Sequence, residues 1–143
     1  MKRTASAAWT GGLKDGKGKL STQSGILKDT PYGFRTRFEN EPGTNPEELI
    51  AAAHAGCFTM ALSAQLAEAG MTAERLQTSA EVTLDKQGDG FAITAIHLVL
   101  VAKIPGADPN AFQAAADKAK DGCPVSKLFK APITLDATLE GAS

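Results

Sequence analysis

Gly43-Thr44-Asn45-Pro46-Glu47-Glu48-Leu49-Ile50-Ala51-Ala52-Ala53-His54-Ala55-Gly56-Cys57-Phe58-Thr59-Met60-Ala61-Leu62 is the stretch on which the fold turns. It opens as a helix: Asn45 is a capping residue, Pro46 suits the first helical position, and Glu47 and Glu48 fall in the positive first turn. Asn45 and Glu48 also stand at capping-box spacing, with Asn in place of the usual Ser or Thr. The pattern predicts a helix over 45–70 that stops at Gly70, roughly 36 Å long at 1.5 Å per residue. From Leu49 to Leu62 it has almost no polar face, so it must be surrounded by protein on nearly every side. A chain of 143 residues has difficulty burying such a helix alone. An obligate homodimer of intertwined α+β protomers, pairing two such helices between two sheets, solves the burial problem.

Upstream, residues 1–40 read as an antiparallel β-meander punctuated by Thr10-Gly11-Gly12, Asp15-Gly16-Lys17-Gly18 and Lys28-Asp29-Thr30-Pro31. The third strand, Tyr32 to Phe38, alternates so that Tyr32, Phe34, Thr36 and Phe38 share one face and Arg35 and Arg37 the other. Downstream, residues 75–143 form a β/α half. A strand with one polar face runs from Leu76 to Lys86, and a nearly continuous apolar strand, covered on both faces, from Phe91 to Lys103. An amphipathic helix follows over Pro109–Lys120 with Phe112, Ala115, Ala116 and Ala119 inward. A short helix after Cys123 and a strand from Ile133 to Glu140 complete a single domain over 1–143.

Composition narrows the class of function. Hydrophobic residues make up 43% and charged residues 22%, and the net charge of −1 gives no reason to expect nucleic acid or an anionic membrane as partner. Lys2-Arg3 is not followed by an apolar run of signal-peptide length, and the apolar helix is alanine-rich and interrupted by His54, Thr59, Ser63 and Gln65. The expectation is a cytoplasmic protein with a core helix, not a membrane span. In a reducing cytoplasm the two cysteines, Cys57 in the apolar helix and Cys123 at a helix start, do not form a permanent staple. Helix starts and nearby cations favour a thiolate and apolar burial disfavours it, so the two call for different roles.

The strings Tyr32-Gly33-Phe34, Thr36-Arg37-Phe38-Glu39, Gly43 to Ile50, Ala52-Ala53-His54-Ala55, Cys57-Phe58, Gly90-Phe91-Ala92-Ile93-Thr94 and Gly122-Cys123-Pro124-Val125-Ser126 carry a family likeness. In order and separation they resemble the OsmC (osmotically inducible protein C) branch of the OsmC/Ohr family, over essentially the whole chain. The resemblance implies an intertwined homodimer with antiparallel sheets wrapped around long central helices. It implies a thiol-dependent peroxidase that reduces organic hydroperoxides to alcohols without a cofactor. It also implies roles: Cys57 as peroxidatic thiol forming a sulfenic acid, Cys123 as resolving thiol closing a Cys57–Cys123 disulfide, and Arg37 and Glu47 as an ion pair beside the peroxidatic sulfur. Arg35 lies outside the matched string. The implied reductant is a dithiol such as a lipoylated protein.

That chemistry suits these residue types. A guanidinium can lower a thiol pKa and stabilise the departing alkoxide, and a carboxylate can hold its fork in place. Glu47 and Cys57, ten positions apart on a helix, lie roughly 15 Å apart along its axis. Either the helix breaks, near Gly56, or two protomers assemble each site; the second also accounts for the dimer. Ile50, Phe58, Phe38, Leu128 and Phe129 suggest by residue type an apolar vestibule for alkyl or lipid hydroperoxides, though each also suits an ordinary core.

Other readings compete. Taken alone, Cys57 is a small core hydrophobe and His97 a structural residue of a buried strand. His54, three residues before Cys57 on the same helix face, invites a Cys-His base or a metal-ligand reading, but two cysteines and two histidines without a paired Cys-x-x-Cys argue against zinc or a metal-dependent hydrolase. The alternative from another class is a non-enzymatic dimer that binds a hydrophobic ligand and has incidental thiols.

Overall fold

In the computed structural model, which describes residues 1–141, the chain runs β1(Ala5–Thr10), β2(Lys17–Thr22), β3(Thr30–Tyr32), α1(Phe34–Phe38), α2(Pro46–Glu68), β4(Arg75–Gln87), β5(Gly90–Lys103), α3(Pro109–Gly122), α4(Pro124–Leu128), β6(Ile133–Leu139). Two compact units result, Met1–Leu49 and the remainder from Ile50.

The first unit is the expected meander, an antiparallel sheet in the order β1-β2-β3. Gly18 lies where the Trp9 and Tyr32 rings, 5.6 Å apart, close over β2, and a Cβ there would strike both. The expected strand from Tyr32 to Phe38 is not formed: β3 ends at Tyr32 and residues 34–38 wind into α1. Local bonds decide it. The Gly33 N–H donates to the Thr36 hydroxyl at 2.8 Å, that hydroxyl donates back to the Gly33 carbonyl, and the Asn45 amide donates to the Thr36 carbonyl at 2.9 Å. Phe34 and Phe38, four residues apart, then stack at 4.9 Å on one helical face. The two arginines consequently part company, Arg35 to Glu39 and Arg37 to Glu47.

Helix α2 starts as the sequence dictates, with the Glu48 N–H donating to Asn45 Oδ1 at 2.7 Å. The capping box is only half realised, because the Glu48 carboxylate accepts instead from the Thr44 hydroxyl at 2.8 Å. The helix continues through Gly56 without interruption. It ends in a Schellman motif, Met71 N–H to the Leu66 carbonyl and Gly70 N–H to the Ala67 carbonyl, with Gly70 at φ 76°.

The second unit contains a β4-β5-β6 sheet. β4 and β5 form the expected hairpin, turning at Gly88-Asp89, whereas β6 pairs parallel to β5, with Leu98 opposite Leu135. A parallel pair needs a long crossover, and α3 and α4 supply it. The sheet's inner face sets Ile96, Leu98, Leu100 and Ala102 of β5 in the core, where Leu98, Leu100 and Ala102 cluster with Phe58, Leu62 and Leu66 of α2 and Phe112, Ala115, Ala116 and Ala119 of α3. The other face of β5 was expected to be covered too, yet Val99 is 38% exposed. Within the single chain the buried residues of α2 form one stripe, His54, Phe58, Leu62 and Leu66, and Met60 is 77% exposed, so the enclosure expected of this helix is left to a partner. By length and composition alone α2 could also cross a membrane, a test that core helices of soluble proteins pass as well.

Candidate active site

The second unit brings together the two sulfurs that the sequence keeps almost half a chain apart. Cys57 on α2 and Cys123 at the N-cap of α4 stand with Sγ atoms 3.0 Å apart, both as free thiols. Their burial reverses the sequence expectation. Cys123 is fully buried, continuing the inward ladder Phe112, Ala115, Ala116 and Ala119 of α3, whereas Cys57 lies beside the buried stripe of α2 and is partly exposed.

Helix α4 explains how Cys123 is held. Its sulfur takes the place of a capping oxygen and accepts the Ser126 N–H at 3.4 Å, with Pro124 at the first helical position. The thiols share a hydrogen bond, so their ionisation is joint. Burial and the bond to Cys123 push Cys57 up from its ordinary value, against a smaller downward pull from the Val125 amide. Burial also opposes charge on Cys123, but hydrogen bonds from the Cys57 thiol, from the Ser126 amide and hydroxyl and from the Val125 amide outweigh it and draw Cys123 down. Of the two sulfurs, Cys123 is the one whose ionisation its surroundings favour.

The sequence places His54 near Cys57 as a candidate base, whereas its partner Ser126 carries no expected role there. His54 is fully buried one turn before Cys57, its Nε2 2.7 Å from Ser126 Oγ and its ring 5.4 Å from that of Phe129. Among the described residues Nδ1 has no hydrogen-bond partner, and burial holds the imidazole below its ordinary pKa. The signal in the sequence was Ser126, three residues after the capping Cys123. Among the described residues no group of three or more His, Cys, Asp or Glu could hold a metal ion.

In the first unit Arg37 and Glu47 form the ion pair that the resemblance implied. Arg37 Nε–H donates to Glu47 Oε1 at 2.8 Å and Nη2 reaches the same oxygen at 2.6 Å. The carboxylate is largely enclosed, and the guanidinium is 39% exposed and lies 5.4 Å from the centre of the Phe38 ring. Of the vestibule residues, Leu128 is 76% exposed, Phe38 37% exposed, and Ile50 and Phe129 half-buried. Phe58 has no exposed surface; it packs in the core and lines no accessible opening. A cavity of about 590 Å³ in the first unit, lined among others by Lys14, Tyr32 and Phe34, includes Arg35, the weaker arginine candidate, but neither Arg37 nor Glu47.

Two neighbouring thiols, one buried and one partly exposed, form a pair that an oxidant can close into a disulfide. Comparison with known proteins points the same way. The family described as OsmC-like protein matches residues 38–138. Peroxiredoxin OsmC of Escherichia coli is 57% identical over 94% of both chains. The organic hydroperoxide resistance protein of Xanthomonas axonopodis pv. citri is 35% identical over 68% of this chain and 67% of its own. Among solved structures, the organic hydroperoxide resistance protein OhrB of Bacillus subtilis superposes with a TM-score of 0.67 at 27% identity, over 96% of this chain and 98% of that one.

Proposed function

The chain belongs to the OsmC-like family, and from that premise we propose that it is a cysteine-based peroxidase reducing organic hydroperoxides to alcohols. The observation that carries the reading is the 3.0 Å approach of Cys57 and Cys123 as free thiols. Cys57, the more accessible of the two, attacks the terminal peroxide oxygen as a thiolate. The O–O bond breaks, the alkoxide leaves and takes a proton to become the alcohol, and Cys57 is left as a sulfenic acid. Cys123 then attacks that sulfur, the S–O bond breaks, water departs and a disulfide remains. A dithiol, such as a lipoylated protein, returns both thiols by exchange.

Arg37 and Glu47 belong to this site as a charge clamp: Arg37 stabilises the attacking thiolate and the departing oxygen, and Glu47 fixes its fork. Their geometry supports assembly of each site from two protomers. Glu47 and Cys57 sit on one uninterrupted helix, roughly 15 Å apart along its axis, which leaves no break at Gly56 to bring them together. The partner would also cover the open sides of α2 and β5, so the working form in this reading is a homodimer in which both units act as one domain. Ile50, Phe38, Leu128 and Phe129 provide an apolar approach suited to alkyl or lipid hydroperoxides, and a cytoplasmic setting keeps the thiols reduced between turnovers.

One equivalent of an organic hydroperoxide such as cumene hydroperoxide is expected to remove both thiols from titration, and dihydrolipoamide to restore them. The non-enzymatic binding alternative predicts an unchanged thiol titre, and that result would overturn the proposal.

A further inference from the structure

His54 is the one fully buried titratable side chain that the proposed chemistry leaves unused. Its Nε2 contacts the Ser126 hydroxyl at 2.7 Å, and Ser126 in turn donates its own N–H to the Cys123 sulfur. Among the described residues Nδ1 faces no partner. The tautomer is assigned from these bonds, because an orphaned buried N–H is rarer than an orphaned lone pair. The proton therefore sits on Nε2, which donates to Ser126 Oγ. With one lone pair engaged, the serine hydroxyl hydrogen is free to point at the sulfur beyond.

We propose that His54 is a positioning residue that aims the Ser126 hydroxyl at Cys123, so that the resolving sulfur is presented to oxidised Cys57 as an anion. This rests on the peroxidase reading and assigns the His54–Ser126 pair to its second step alone. In that step the Cys123 sulfur supplies the electron pair for the new S–S bond, the S–O bond of the Cys57 sulfenic acid breaks, and hydroxide leaves. The proton that Cys123 gave up on ionising completes the water, so atoms and charge balance. Burial, which holds His54 neutral, keeps this relay of donors from adding a net charge beside the pair. The titratable groups bonded to Cys123 or to Ser126 are Cys57 and His54, both from α2.

The decisive measurement is the iodoacetamide alkylation rate of Cys123 against pH, with Cys57→Ser as the common background so that one thiol is followed. His54→Leu and Ser126→Ala should each raise its apparent pKa and reduce its thiolate fraction at pH 7 by about tenfold, the loss of a hydrogen bond to a charged group. His54→Gln, whose amide nitrogen can donate from nearly the Nε2 position, should restore most of it. Unchanged profiles in His54→Leu and Ser126→Ala, or no rescue by Gln, would overturn the proposal. If His54→Leu fails to fold, Ser126→Ala and His54→Gln still decide it.

In chains that retain Cys57, a single turnover with cumene hydroperoxide should show sulfenic acid formation at the parental rate and disulfide closure about tenfold slower in Ser126→Ala. Equal slowing of both steps would mean a merely structural role. Absence of any oxidation in the parent would sink the peroxidase reading, while the alkylation profiles would still decide the role of His54.

Discussion

The Cys123 sulfur stands 3.0 Å from the Cys57 sulfur while both remain thiols, about 1 Å beyond the roughly 2.05 Å of a closed disulfide. Resolution therefore needs a side-chain adjustment and no large rearrangement of α2 against α4. Cys123→Ser should complete the first step and stop there, consuming one equivalent of hydroperoxide and accumulating a sulfenic acid on Cys57. Dimedone labelling followed by mass spectrometry checks this; equal labelling of the parent and the variant would refute it.

Arg37 and Glu47 separate activity from stability. The guanidinium is 39% exposed, and an ion pair at such a surface contributes only about 0–1 kcal/mol to folding. Arg37→Ala should leave the urea midpoint nearly unchanged while kcat/KM for an organic hydroperoxide falls by about 10²-fold, the usual loss for one donor to developing negative charge. Arg37→Lys keeps the charge without the fork and should fall between the two. An Arg37→Ala enzyme with parental kcat/KM would remove Arg37 from the site.

A mixed dimer tests whether the clamp comes from the partner subunit. Co-expressed Arg37→Ala and Cys57→Ser chains, each inactive alone, should regain about a quarter of parental activity, because half the dimers are mixed and each of these rebuilds one of two sites. Assembly within one protomer predicts no recovery at all.

His54 makes stability depend on pH, with a definite sign. Burial lowers its pKa below 6.5, so the unfolded chain takes up a proton near 6.5 while the native chain does not. Its contribution is present above that pH and is lost as acidity carries the solution down through it toward the folded value. The slope for one such group is at most about 1.4 kcal/mol per pH unit. Urea midpoints measured at pH 7.5 and 5.5 and equal protein concentration should show the parent weakening more than His54→Gln; parallel behaviour would contradict it.

Much of this was legible from residue order because strong local signals agree with the tertiary outcome. Asn45-Pro46-Glu47-Glu48 and Gly70 bracket α2, and Phe112, Ala115, Ala116 and Ala119 mark the inner face of α3, as observed. Residues 34–38 were misread because positions four apart share a face in a helix and also in a strand. Only the Gly33 and Thr36 bonds decide between the two. The parallel course of β6 is set by the crossover through α3 and α4, which alternation along Ile133–Leu139 cannot report. The burial of Cys123 was readable, since it lies four residues beyond Ala119. Its contact with Cys57, across 66 positions, was not, because no local spacing encodes an approach made by packing.

The crossover that carries Cys123 also sets an order of events. The second sulfur lies in the crossover between β5 and β6, 66 positions after the first, so the ribosome releases Cys57 before Cys123 exists. A half-made chain thus meets oxidants with a single thiol and no second cysteine of its own to capture the sulfenic acid, and oxidation beyond that stage is permanent. Oxidative damage should accordingly fall on newborn copies and spare finished ones.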